Sequence, residues 1–181
     1  SDEDMKRCVR EGMKKINVGT ELNKNYIEVV SKTFTADDVT PLTSLRNLLG
    51  PANERIKEIT GKYPEGFRSP AWEFSKYTPD ILVELGIKYS SNMMHTDRIH
   101  QLEVFGEKKK LIEFPIHWAM DDAAYWLYST KLTGKSMQPM DAVEQVFIRQ
   151  FDVLYDEWKN IPGREDTVYV LTCHPQVIGI P

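Results

Sequence analysis

The residues best equipped for chemistry stand where apolar stretches break off. Val168 to Leu171 read as a buried strand that runs into Thr172-Cys173-His174-Pro175. A histidine held by proline at a strand end sits at the mouth of an α/β barrel. An imidazole is the side chain suited to giving a proton to a leaving group. Taken alone, such a histidine is a satisfied loop residue. It does not stand alone. Gly66-Phe67-Arg68-Ser69-Pro70-Ala71-Trp72-Glu73-Phe74-Ser75 carries an arginine and a tryptophan at a second strand end. Ile112-Glu113-Phe114-Pro115-Ile116-His117-Trp118-Ala119-Met120-Asp121-Asp122 ends a third in paired carboxylates. Arg68 has the planar fork that grips a carboxylate at two points. Asp121 and Asp122 read equally as helix N-caps or as groups that orient His174. Glu113 alternates with Ile112 and Phe114 and is expected to face solvent.

These elements need a scaffold, and the pattern gives an alternating one. Pro51 is expected to open a helix that Gly61 closes, after a loop with a short helix over 39–49. Phe67 to Trp72 reads as a rim strand interrupted by Pro70. Pro79 starts a helix with core residues Ile81, Leu82 and Leu85, ended by Gly86. Ile87 to Ser90 is a strand. Leu102–Phe105 and Leu111–Ile116 are expected to pair across a solvated turn from Gly106 to Lys110. Val143, Val146, Phe147, Gln150, Phe151, Leu154 and Trp158 fall at helical spacing over 141–158 and read as core. Strands separated by helices imply βαβ units and a barrel-like or open α/β sheet.

Composition sets bounds. The chain has 181 residues and a formal net charge of −4, so it shows no basic footprint for nucleic acid or an anionic membrane. No apolar run reaches the roughly 20 residues of a membrane span. Cys8 and Cys173 are expected to be buried thiols in a reducing, cytoplasmic setting. His95 and His100 do not share a helix face and read as loop residues.

Over residues 52–181 the three strand-end motifs resemble the polysaccharide deacetylases of the NodB-homology type. The likeness is to the branch with peptidoglycan deacetylases and allantoinase-like C–N hydrolases. The resemblance implies that His174 is the catalytic acid, that Arg68 orients a catalytic base and that Trp72 walls the site. Asp122 stands beside them as a further candidate catalytic residue. It also implies a divalent metal, zinc or another, held by an aspartate and a His-x-x-x-His motif before the arginine segment. That place is taken here by residues 1–51, which contain no histidine. No cofactor is therefore expected from this chain alone.

Those first residues have a different likeness. Gly12-Met13-Lys14-Lys15-Ile16-Asn17-Val18-Gly19-Thr20-Glu21-Leu22, with Leu48 to Lys57, resembles the end of a class II fructose- or tagatose-bisphosphate aldolase. That likeness implies the last strand of a TIM barrel, with Asn17, Gly19 and Thr20 toward substrate and phosphate. The expected fold is α/β, a partial barrel of parallel strands: 1–51 aldolase-like, 52–181 deacetylase-like. It reads as a chimera, whether natural, misassembled or engineered. The expected function is a remnant N-acetyl-sugar deacetylase, inactive alone. The alternatives are an aldolase-derived phosphate binder or an inert fragment. Expected partners are an N-acetylated sugar or sugar phosphate and further copies of the chain at open sheet edges.

Overall fold

A computed structural model of the chain describes residues 3, 6, 7, 10, 41–127, 137–174, 177 and 178. Asn17, Gly19, Thr20, Cys8 and the expected strand ending near Val18 lie outside them. The contacts divide the chain into two compact units, 1–90 with 101–111, and 91–100 with 112–181.

In the first unit helix α1 spans Pro41–Thr60 with Pro51 inside it. The expected start at Pro51 is therefore ten residues late. An internal proline removes one backbone donor and crowds the preceding turn, and here the helix runs on regardless. Pro41 opens it instead, where the missing N–H costs nothing. Leu48, Leu49 and Ala52 are its buried residues. They pack toward α2, Thr78–Glu84, whose Ile81 and Leu82 are fully buried. Arg46 Nε donates to Glu84 at 3.0 Å across the same helix pair. Gly86, at φ 76°, provides the left-handed residue past the end of α2.

The sheet has four strands in the order β1-β2-β4-β3 and is open. Strands β1, Gly66–Phe67, and β2, Tyr89–Ser90, run parallel with Gly66 opposite Tyr89. The expected strand to Trp72 stops at Phe67. Beyond it Pro70–Trp72 forms a 3-10 turn in which Ala71 and Trp72 are both left-handed, at φ 51° and 58°. A proline ring cannot donate to a ladder, so pairing ends there. Trp72 itself is buried.

Strands β3, His100–Val104, and β4, Glu107–Glu113, form the expected hairpin, but its turn is shorter than expected. Phe105 and Gly106, at φ 51° and 83°, make a two-residue turn whose twist suits the strands. The lysines expected in that turn thus lie within β4. Lys109 is anchored by Asp80 at 2.8 Å and Glu107 at 3.0 Å, which raise its pKa. Leu102 and Leu111 give the hairpin its core face.

In the second unit a 3-10 turn, Trp118–Met120, leads into the short helix α3, Asp122–Trp126. A long helix α4 spans Met140–Asn160, as the spacing predicts. The core role expected for its apolar face is not observed. Val143 is buried, but Phe151, Tyr155 and Trp158 are about half exposed, with Tyr155 stacked on Phe151 at 6.0 Å. Phe151, Leu154, Tyr155, Trp158, Thr167 and Tyr169 line an open hollow of about 180 Å³. Helical spacing shows that a face exists, not that anything covers it. The expected strand Val168–Leu171 is reduced to isolated bridges, Arg98 with Thr167 and Asp121 with Thr172. Among the described residues no helix is long and apolar enough to cross a membrane.

Candidate functional site

The second unit brings Asp122 and His174 together. The 171–174 segment passes alongside the 3-10 turn. Thr172 N–H donates to Met120 O at 2.7 Å, and Asp122 N–H donates to Thr172 O at 3.1 Å. This parallel bridge sets His174 two residues beyond the pairing and level with the first turn of α3. Asp121 caps that helix by accepting the Ala123 N–H at 2.7 Å. The capping role therefore falls to Asp121 and frees Asp122 for the histidine.

Asp122 holds His174 at two points. Its Oδ2 accepts the His174 backbone N–H at 2.7 Å, and its Oδ1 lies 2.6 Å from the ring Nδ1. Asp122 is fully buried, and the His174 side chain is about one-third exposed. The carboxylate therefore makes Nδ1 the protonated nitrogen and fixes the ring's orientation. The nitrogen left for proton exchange is Nε2. His174 O accepts from the Val177 and Ile178 N–H groups at 2.8 and 2.9 Å, closing a turn behind the ring.

Beside the ring, Cys173 is a free, exposed thiol, not the buried one expected. Partial desolvation raises its pKa, and the charges of Asp122 and Asp121 raise it further.

One oxygen each of Asp121 and Asp122 and one nitrogen of His174 lie within 4.8 Å of one another, the spacing of a metal site. The donors do not fit one. Both Asp122 oxygens and Nδ1 are committed to each other and to the His174 N–H, and Asp121 Oδ1 holds the Ala123 N–H. This cluster is a histidine with its orienting carboxylate.

The other expected site residues lie in the first unit, on the segment after β1. Arg68 is partly exposed and Trp72 is buried. Glu113 overturns its expected exposure. It is fully buried, and Oε1 accepts the Asn92 and Met93 N–H groups at 2.6 and 2.8 Å. Glu113 shares strand parity with Leu111, and that parity was the available signal; Ile112 is the outward residue. His117 accepts the Ala119 N–H at 3.0 Å and caps the 3-10 turn. His95 and His100, read as separate loop residues, lie edge to face at 4.8 Å.

The chain is similar to several known proteins. The family model for class-II fructose-bisphosphate aldolase matches residues 1–70. A peptidoglycan deacetylase of Helicobacter pylori is 31% identical over 152 residues, 71% of this chain and 50% of the relative. A peptidoglycan deacetylase-like protein of Gibberella zeae is 21% identical over 178 residues, 84% of this chain and 53% of its own. A crystal structure assigned as a polysaccharide deacetylase from Mycobacterium smegmatis superposes with a TM-score of 0.65 at 28% identity. It covers 78% of this chain and 46% of that one. The chain spans about half the length of the curated relatives it matches. It is thus similar to peptidoglycan and polysaccharide deacetylases over most of its length, and to class-II aldolases over its first seventy residues.

Proposed function

We propose that this chain carries the acid half of an N-deacetylase site, acting on the acetamido C–N bond of N-acetylated sugars in a polysaccharide. The observation that carries this reading is the two-point hold of Asp122 on His174. Hydrolysis of an acetamide leaves an amine, which departs only if it is protonated. A ring fixed through Nδ1 presents Nε2 for that transfer. The likeness to deacetylases supports the substrate class. The resemblance gives Arg68 the part of orienting a base and Trp72 that of walling a site; both belong to the first unit, and the acid to the second.

The base and metal motifs of such enzymes have no counterpart among the residues ahead of Arg68, where no histidine occurs. The chain is therefore a half-site and inactive by itself. The test is complementation. The segment of the Helicobacter relative that precedes its arginine motif is co-expressed with this chain. The pair is then assayed on N-acetylglucosamine oligomers with zinc. Deacetylation that His174→Ala abolishes supports the reading. Turnover by the chain alone, or turnover indifferent to His174, overturns it. A second reading, phosphate binding at Asn17, Gly19 and Thr20, is favoured by the aldolase family match. It is tested by phosphate titration of Thr20→Val.

A further inference from the structure

Of the three imidazoles in the second unit outside the Asp122–His174 contact, His117 caps a 3-10 turn and the other two lie together. His95 is exposed, and His100, at the start of β3, is partly exposed. Their ring centroids are 4.8 Å apart with the planes at 78°. His100 Nδ1 lies 2.9 Å from the Arg98 carbonyl oxygen. A carbonyl only accepts, so Nδ1 carries the hydrogen and Nε2 presents a lone pair. That Nε2 is buried and has no hydrogen-bond partner.

A buried acceptor without a partner has given up its water and gained nothing in return. The edge-to-face contact of the two rings is favourable but does nothing for the lone pair. A ligand for Nε2 resolves the mismatch. An imidazole tied through one nitrogen to a backbone carbonyl, with the other nitrogen bare, has the geometry of a metal-binding histidine. Metal–nitrogen bonds of about 2.0–2.1 Å put each ring centre roughly 3 Å from a shared ion, so two such rings stand about 4.5–5 Å apart. The observed separation falls in that range.

We propose that His95 and His100 form a two-imidazole site for a divalent transition-metal ion of the zinc, nickel and copper class. Imidazole favours these ions over magnesium or calcium. Among the described residues no third histidine, cysteine or carboxylate joins the pair, since the sole three-ligand cluster there is Asp121, Asp122 and His174. Water completes the shell, and the ion exchanges freely. Its effect is to tie the 91–99 segment to the start of β3. The site shares no residue with the proposed acid.

The chain has four histidines, so a complete panel of single variants settles the matter. The tag-free chain is titrated calorimetrically with nickel chloride, then zinc chloride, with magnesium as control. One ion per chain is expected. His95→Ala and His100→Ala should each weaken binding by at least about tenfold, the effect of losing a ligand or its support. His117→Ala and His174→Ala should leave binding unchanged. His95 is exposed, so its removal does not threaten folding. Affinity unchanged in both His95→Ala and His100→Ala overturns the proposal. So does affinity lost in His174→Ala, which would put the ion on the aspartates. No binding up to millimolar metal overturns it too.

Discussion

Asp122 reaches His174 twice, through the ring Nδ1 at 2.6 Å and the backbone N–H at 2.7 Å. Both are hydrogen bonds to a buried carboxylate, each stronger than a neutral pair. Asp122→Ala should therefore lower the unfolding free energy by about 2–4 kcal/mol. Asp122→Asn should cost less, because its amide oxygen still accepts one of the two. Urea denaturation measures both. A loss below about 0.5 kcal/mol in the alanine variant would mean that the contact contributes nothing net.

Cys173 reports on the same carboxylates. Burial raises its pKa first, then the charges of Asp122 and Asp121. Its alkylation rate by iodoacetamide should reach half-maximum above the pH of about 8.5 typical of a free thiol. Asp122→Asn should move that midpoint down. An unchanged profile would show that the charge is not felt at the sulfur.

The Arg98–Asp166 pair, at 2.6 Å, gives an acid-side signature. The hydrogen bond from Arg98 lowers the Asp166 pKa. A carboxyl whose folded pKa is depressed contributes stability that is complete above its unfolded value and lost as pH falls through the folded one. The stability difference between the chain and Asp166→Asn should be constant above about pH 5 and shrink below about pH 4. A difference that grows on acidification would contradict the assignment.

Phe105 occupies a left-handed turn position with its ring 87% exposed. Asparagine tolerates that conformation and phenylalanine does not. Phe105→Asn should raise stability by about 0.5–1 kcal/mol, read from the urea midpoint. A fall in the midpoint would show that the ring is held by something other than the turn.

The aromatic face of α4 should make the chain associate. Phe151, Tyr155 and Trp158 are about half exposed on one side of a 21-residue helix. Contiguous apolar surface of this kind recruits other molecules. Light scattering should show mass rising with concentration, and the double variant Phe151→Lys, Trp158→Lys should suppress the rise. A monodisperse parent would refute the expectation.

The parts legible in the sequence were those governed by local rules. Gly86 after α2, the hairpin around Gly106 and the extent of α4 all follow from backbone conformation and short-range hydrogen bonds. The sequence placed Asp121, Asp122 and His174 as candidates without saying which carboxylate holds the ring; that choice is made by the Asp121–Thr172 bridge. Other features depend on what lies across from a residue. Helical periodicity marked Phe151 and Trp158 as one face without saying whether anything packs on it. The burial of Glu113 depends on two N–H groups twenty and twenty-one residues away. The meeting of His95 and His100 depends on a loop-to-strand path, for which spacing on a helix was the wrong ruler.

Ala71 and Trp72 carry a consequence for folding order. Two consecutive left-handed residues that are not glycine cost about 2–4 kcal/mol together. Burying a tryptophan of about 150–250 Å² returns about 4–6 kcal/mol. The second term wins, but only once a core exists to receive the indole. The bend after Phe67 is therefore a late event, imposed by capture of Trp72 and not by local preference. It should be among the first features to relax whenever that core loosens, carrying Arg68 away from its folded position before the helices melt.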